Sequence, residues 1–349
     1  MHIVNAMFSK GLGGIEQALV DYCEALKIEG HKVTAIIAPK AKIKESLKPL
    51  GVNIIEVKNF AAWDVFAKIY INKILKQLSP DIIITHGNRA ISLIKPVAKN
   101  IPLVGVTHNY SIKRLVSLDA ILATTNDLKS KVVDAGFSLE KIFKIPNMVR
   151  VGNGEGQRSP LSNPQHQSPI KIGTMGRFVP KKGFDVFIRS IAELRKSGIE
   201  FRAVIGGTGD EENNLKKLAS ELELDSCLEF IGWVEDKEKF FADLDVFVLP
   251  SLHEPFGIIL LEAFAYKKPV VVTDSEGPSE IAKNESDALI VPKGDHIAMS
   301  AAIMRLCKDK ELTKIIAENG FAKAITYDIK NFATSLNDAL IRVEQSCQK

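Results

Sequence analysis

Residues 245–280 read DVFVLPSLHEPFGIILLEAFAYKKPVVVTDSEGPSE. The stretch opens on a short apolar run, 245–250, bounded by turn residues, which predicts a buried strand. A polar loop follows, Ser251-Leu252-His253-Glu254, and Pro255-Phe256-Gly257 opens a predicted helix running to about Lys267. A second apolar run, 269–273, follows almost at once. Strand, loop, helix and strand in this order are the repeat of a parallel α/β sheet.

Two carboxylates stand in this unit. Glu254 lies in the loop and Glu262 eight residues later in the helix, about 12 Å along the axis at ~1.5 Å per residue. Between them a helix N-terminus at Gly257 offers free N–H groups and a positive dipole end to an anion. Glu262 leans back toward that end, because helical side chains tilt toward the N-terminus. A sugar, a diphosphate and a ribose would need this layout. The spacing alone fits equally a solvated helix residue and a surface loop charge.

The rest of the chain repeats the pattern. Residues 2–8 read as a strand, 9–14 (SKGLGG) as a glycine-rich turn, and a helix starts at Ile15. A strand at 31–38 completes a βαβ unit. Its glycine spacing puts Glu16 where a dinucleotide fingerprint has its third glycine, and Ala38-Pro39-Lys40 stands where a ribose-binding acid would be. A nicotinamide cofactor is therefore disfavoured. The glycines serve either close approach to a ligand or a tight turn. Strands at 81–85, 103–107 and 120–124 follow, the first leading into His86 and the second into His108-Asn109. Polar residues just past the carboxyl end of a buried parallel strand are where open α/β sheets meet ligands, and His108 is the stronger candidate of the two histidines. His2, His31, His166, His253 and His296 read as structural or surface residues.

Residues 150–169 are rich in Gly, Ser, Pro, Asn and Gln and read as a linker or loop. A second βαβ series then starts. Its first loop, Gly176-Arg177-Phe178-Val179-Pro180-Lys181-Lys182-Gly183, gathers positive charge at a strand's carboxyl end. Arg177 can fork onto phosphate and Lys182 can act as a point charge. The loop lacks the P-loop spacing. Residues 206–209 (GGTG) are either a ligand-approach loop or a tight turn. Asp243-Leu244-Asp245 spells a metal-binding pair, but precedes a buried run and reads as strand entry.

Composition sets limits. At 349 residues, two domains are expected. Four scattered cysteines without a close pair argue against a zinc site or a disulfide framework and for a reducing compartment. No signal peptide or 18-residue apolar run is read. Residues 1–150 hold 21 Lys and Arg against 12 Asp and Glu, and the remainder 25 against 30. A basic first half suits an acidic partner or an anionic membrane surface, and no nucleic-acid motif accompanies it. The segment 61–78 reads as an amphipathic helix with Trp63, Phe66, Ile69, Tyr70, Ile74 and Leu78 as its apolar set. It would either cover a sheet or lie on a membrane.

Taken together, these residues resemble the group 1 (family four) glycosyltransferases. The marks are Gly13-Gly14-Ile15-Glu16, Gly176-Arg177-Phe178 with Lys181-Lys182-Gly183, Gly207-Thr208-Gly209, Phe230-Ile231-Gly232-Trp233, Leu249-Pro250-Ser251, Glu254-Pro255-Phe256-Gly257 to Glu262, and Pro278-Ser279-Glu280. The resemblance implies an α/β fold of GT-B type. That means two Rossmann-like doubly wound domains facing across a cleft, 1–150 for the acceptor and 170–325 for the donor. Residues 151–169 would link them, and a C-terminal helix within 326–349 would cross back to the first.

It further implies a retaining transfer of a hexosyl group from a nucleoside-diphosphate sugar, with no metal and no cofactor. Arg177 and Lys182 would hold the diphosphate, Glu254 the sugar hydroxyls, Phe256, Gly257 and Ile258 the sugar and phosphate through their backbone, and Glu262 the ribose. Gly13, Gly14 and Gly207 would border the donor, with Glu16, His108 and Asn109 on the acceptor side and His108 against the transferred sugar. The expected acceptor is a glycan or lipid-linked glycan of cell-envelope, lipopolysaccharide type. It would be met in the cytoplasm or at the inner face of the cytoplasmic membrane. A nucleotide-sugar-binding scaffold and an epimerase of similar fold are the alternatives. Glu276, where the family often has glycine, places an unexplained negative charge near the phosphate site.

Overall fold

The computed structural model describes residues 1–11, 13–152 and 169–347. The chain divides into two compact units, Met1–Met148 with Asp328–Lys349, and Val149–Tyr327. Each is built on an all-parallel sheet.

The first sheet has seven strands, β1 (His2–Met7), β2 (Lys32–Ile37), β3 (Asn53–Glu56), β4 (Ile82–His86), β5 (Leu103–Val106), β6 (Ala120–Ala123) and β7 (Ile142–Lys144), in the order β3-β2-β1-β4-β5-β6-β7. The order reverses between β1 and β4, where Ile3 lies opposite Ile82. Alternate residues feed two apolar layers. Ile3, Ile82 and Leu122 enter one core with Leu19 and Leu26 of α1 (Gly14–Ile28) and Leu336 and Leu340 of α13 (Ile329–Cys347). Val4, Ile83 and Ile121 enter the other with Ala67, Ile71, Ile74 and Leu75 of α3 (Val65–Leu78) and Ile91 of α4 (Asn88–Ile94). Both faces are covered, so the strands read as unbroken apolar runs rather than alternating ones. The last helix is tied in by polar contacts as well, His31 Nε2 meeting Asn337 Oδ1 at 2.9 Å.

Two strands join those expected, and two expectations for the 61–78 helix change. The edge strands β3 and β7 are too short and too exposed to register as apolar runs. The helix expected over 61–78 starts at Val65, because the Asp64 carboxylate accepts the Ala67 N–H at 3.0 Å and so caps it. Its buried face is Ala67, Ile71, Ile74 and Leu75, whereas Trp63, Phe66, Ile69 and Tyr70 of the expected apolar set are exposed.

The second sheet has six strands, β8 (Ile170–Met175), β9 (Phe201–Gly206), β10 (Leu228–Gly232), β11 (Val246–Leu249), β12 (Val270–Thr273) and β13 (Leu289–Val291), in the order β10-β9-β8-β11-β12-β13. Its reversal lies between β8 and β11. One face packs on α6 (Phe184–Arg195) and α11 (His296–Lys308). The other packs on α8 (Lys237–Ala242) and α9 (Ile258–Ala265). Asp245 is buried at the amino end of β11, where its Oδ2 accepts the Lys171 N–H at 2.8 Å. The Asp243–Asp245 pair thus stands at the edge opposite the ligand-facing loops. Of the 151–169 linker, residues 153–168, and His166 with them, lie outside the described residues.

Candidate functional site

In the second unit the carboxyl-edge loops are stitched by backbone hydrogen bonds. The Leu252 and His253 N–H groups both donate to the Lys181 carbonyl, at 2.9 and 3.1 Å. The loop after β8 is thereby clamped to the loop after β11 across the reversal point. That clamp needs Gly183, which is left-handed at φ +64, and whose absent Cβ would sit 2.1 Å from the Pro250 carbonyl oxygen. The clamp delivers Lys182 Nζ to the Glu254 carboxylate as a hydrogen-bonded ion pair, largely shielded from water.

A second stitch joins the loop after β9. Phe178 N–H donates to Thr208 O at 2.9 Å and Gly176 N–H to Gly206 O at 2.9 Å. A Cβ on Gly207 would lie 1.9 Å from the Gly176 carbonyl oxygen. The glycines of this loop let two protein loops meet inside the unit. Arg177 is exposed at the junction of these loops, and its side chain makes no ion pair or hydrogen bond among the described residues.

α9 starts at Ile258, three residues later than the sequence suggests. Gly257 takes φ +95 and ends the loop in a left-handed conformation that a helix cannot contain. Glu254 therefore lies outside the helix, and the 12 Å axial estimate to Glu262 does not apply. Glu262, half-buried, meets Lys237 Nζ at 2.6 Å, a partner the sequence did not suggest. Phe256 is buried and places its backbone beside Gly277, whose N–H donates to the Glu254 carbonyl at 2.8 Å.

Glu276 now has an account. It opens α10 (Glu276–Ile281) and its Oε2 accepts the Glu254 N–H at 3.2 Å, while its Oε1 lies 3.0 Å from His253 Nδ1. Lys293 Nζ stands 3.5 Å away. Burial by itself would raise its pKa. Hydrogen bonds from its own N–H, His253 and the Glu254 N–H, with the Lys293 charge, outweigh that and hold it at about 2. Glu276 is the brace of the Glu254 loop.

In the first unit two histidines stand at the corresponding edge, with Lys10, Arg89, Lys113 and Arg114 exposed in the loops around them. Residues 9–13 leave β1, with Leu12 outside the described residues, and Gly13 caps α1 in an extended conformation at φ −162. Gly14 begins the helix. Ser9 Oγ donates to Glu16 Oε1, so Glu16 holds the loop it follows. His86 ends β4 and His108 follows β5. Their rings stack with centroids 5.1 Å apart, and His86 Nδ1 lies 2.9 Å from His108 Nε2. Tyr22 of α1 meets the His86 ring edge-on at 4.9 Å. His86 is buried and His108 keeps part of its surface. Loss of water lowers the pKa of both, and in His86 the neighbouring His108 adds to it. Both are neutral at pH 7, and a single N–H joins them. Asn109 is exposed and its Oδ1 accepts the Ser111 N–H at 2.8 Å, a local turn bond.

Residues 12–152 match the sequence profile of Glycosyltransferase Family 4, and residues 159–323 that of Glycosyl transferases group 1. The lipopolysaccharide core biosynthesis glycosyltransferase LpsE of Rhizobium meliloti (strain 1021) is 31% identical over 333 residues, which is 92% of this chain and 93% of LpsE. This chain belongs to the group 1 glycosyltransferases. LpsD of the same strain, a glycosyltransferase of lipopolysaccharide core biosynthesis, is 29% identical, covering 88% of this chain and 89% of LpsD. Among solved structures, Anabaena Alr3699/HepE in complex with UDP-glucose superposes with a TM-score of 0.84 at 19% identity, over 98% of this chain and all of that one. The lipopolysaccharide outer core galactosyltransferase WaaB gives 0.77 at 17%, over 98% and 99%. The fold is thus that of the GT-B glycosyltransferases, two Rossmann-like units each with a parallel sheet.

In this glycosyltransferase the structure brings Lys182, Glu254, Gly257 and Ile258 onto one clamped edge of the second unit, and pairs Glu262 with Lys237. In the first unit it brings His108 to His86. His86 was visible at a strand's carboxyl end, but nothing in sequence shows that two strand ends are neighbours.

Proposed function

We propose that the chain transfers a hexosyl group from a nucleoside-diphosphate sugar to a glycan or lipid-linked acceptor, with retention and without a metal ion, in cell-envelope polysaccharide synthesis. The observation that carries the reading is the clamped Lys182–Glu254 pair beside the N-terminus of α9. The leaving group is a nucleoside diphosphate, so negative charge grows on phosphate oxygens as the glycosidic bond breaks. Fixed cations and helix N–H groups aimed there stabilise that charge with little reorganisation. Arg177 and Lys182 supply the cations in this reading. Glu254, whose loop is braced by Glu276, accepts hydrogen bonds from the sugar hydroxyls. Glu262 gives only Oε1 to Lys237, which leaves its second oxygen to accept from ribose. The neutral His86–His108 pair suits contact with an uncharged sugar. The acceptor hydroxyl attacks on the face the diphosphate leaves, and its proton passes to the departing phosphate oxygen.

Solved HepE structures with UDP, with UDP and glucose and with UDP-glucose make a uridine donor the first to try, and the LpsE and LpsD names favour an acceptor of the lipopolysaccharide core type. Thermal-shift comparison of UDP-, GDP- and ADP-sugars identifies the base; a donor at 100 times its Kd adds about 2.7 kcal/mol. Proton NMR of the product, formed with and without EDTA, then reads the anomeric outcome. Retention with unchanged rate is expected. An inverted product, or a rate abolished by EDTA and restored by Mg²⁺ or Mn²⁺, overturns the proposal.

A further inference from the structure

We propose that the outer face of α3, with the loop that leads into it, docks this protein on an anionic lipid bilayer. Phe60, Trp63 and Phe66 are 89%, 76% and 86% exposed, and Val65, Ile69 and Tyr70 are exposed beside them in sequence. Isolated apolar residues on a surface need no explanation, but six within eleven positions do. Folding does not account for them. The sheet is covered by the opposite face, Ala67, Ile71, Ile74 and Leu75. Asp64 also binds the Phe60 N–H at 3.0 Å, so the loop is fastened to the first turn of the helix and its aromatics are held at that end.

The charge says what covers the face. Helical spacing puts Phe66, Ile69, Tyr70 and Lys73 in one stripe, and Lys76 one turn further, so the face runs from aromatic at its start to basic at its end. Lys58, just before the loop, is exposed too. Residues 40–76 contain eight lysines and three acids. Two of those acids are paired, Glu45 with Lys48 and Glu56 with Lys44, and the third, Asp64, caps the helix. Aromatic rings that seat at the headgroup boundary, together with lysines that meet anionic headgroups, are the two signals a peripheral protein combines for stable attachment. Among the described residues no helix is long and apolar enough to cross a membrane, and α3 in this reading lies in the bilayer surface. The inference deepens the lipid-linked acceptor reading above and rests on it.

Sedimentation of the full chain with vesicles of phosphatidylglycerol and phosphatidylethanolamine tests it, with phosphatidylcholine vesicles alongside. Partition is expected to be at least tenfold stronger onto the anionic vesicles. The exposed double variant W63S/F66S should lose at least tenfold of it, and K73E/K76E should lose the preference for anionic lipid. The chain has two tryptophans, so in a W233F background the Trp63 emission should shift to the blue on adding vesicles. Wild-type protein that stays in the supernatant, or W63S/F66S that sediments like wild type, overturns the proposal. So does a dimer, seen by light scattering without lipid binding, that W63S/F66S turns into monomer. Release of nucleoside diphosphate from UDP-, GDP- and ADP-sugars by the same samples separates the two readings. Vesicle binding without turnover of any donor sinks the transferase reading and upholds this surface, whereas turnover without vesicle binding sinks the surface.

Discussion

The two units share one scaffold, a parallel sheet whose strand order reverses once, yet their ligand-facing edges differ. In the second unit the edge is charged and rigid. Three loops are joined by backbone hydrogen bonds, a lysine and a glutamate meet on them, and left-handed glycines permit the approach. In the first unit the centre of the edge is an uncharged, stacked histidine pair, its loops tied by side-chain bonds such as Asn88 to Ser111 and Thr124 to Thr107, beside a glycine loop whose cap is extended. A diphosphate needs fixed cations, and a sugar or an acceptor hydroxyl needs neutral donors and acceptors. In the proposed reading, one fold would serve two chemistries through the loops at a sheet's carboxyl edge.

The largest expected effect falls on the charged edge. Lys182→Ala removes a cation from the growing phosphate charge and leaves Glu254 without its partner. A loss of about 10³-fold in kcat, ~4 kcal/mol, is expected, as for other preorganised electrostatic groups. Glu254→Gln keeps the shape and should lose nearly as much. Steady-state kinetics on the chosen donor decides, and a variant within threefold of wild type would remove the pair from the site.

Next comes the comparison of two glycines. Gly87, at φ +82, caps α4 right after His86, and a Cβ there would meet nothing within 4 Å. Gly183 caps α6 at φ +64, but its Cβ would strike the Pro250 carbonyl. Gly87→Ala bears only the left-handed strain, about 1 kcal/mol, whereas Gly183→Ala must also push apart the two clamped loops and should cost about 3 kcal/mol or more. Thermal unfolding followed on both variants should separate them clearly. Equal costs would mean that the second unit's clamp is softer than its hydrogen bonds indicate.

His86→Phe keeps a ring against Tyr22 and removes the bond to His108. About a tenfold fall in kcat, ~1.4 kcal/mol, is expected with little change in the donor's KM, because His86 acts through His108. A change confined to KM would assign the pair to donor binding alone.

The sequence and the structure agree where an element is buried on both sides. Runs such as 246–249 and 82–86 lie between helices, and their composition states it. Agreement fails where one residue's backbone or one remote partner decides. Gly257 ends a loop that composition would continue as helix, and the Asp64 cap starts α3 later than its apolar pattern does. The α3 stripe misled for a different reason. The helix is apolar on both faces, so periodicity could not say which one is inside. The candidate site was legible only as residue types at strand ends, namely Arg177, Lys182, Glu254 and His108. Its pairings were not, because Lys182 with Glu254, Lys237 with Glu262, and His86 with His108 each join loops or elements 22 to 72 residues apart.

Acid sharpens the contrast between the edges with the smallest effect. His86 and His108 are held neutral, with pKa values below those of an unfolded chain. The unfolded state thus takes up more protons once pH falls below about 6.5, and the first unit loses stability from there downward. Glu276 has the opposite history. Its pKa is depressed to about 2, so its contribution is complete above about 4.3, the unfolded value, and is lost only as pH falls from there toward 2. On acidification the histidine pair's edge should therefore weaken first and the Glu276-braced edge later. Glu276→Gln keeps the brace's shape without its charge and should cost about 1 kcal/mol near neutral pH, about 2–4 °C in Tm. That difference should shrink toward pH 2, where half of the wild-type carboxyl has lost its charge. Hydrogen exchange of the Glu254 amide reads the brace directly. Faster exchange in E276Q at pH 7, converging with wild type in acid, is the expected result, and a protection unchanged by the substitution would show that the Glu254 loop is held without the Glu276 carboxylate.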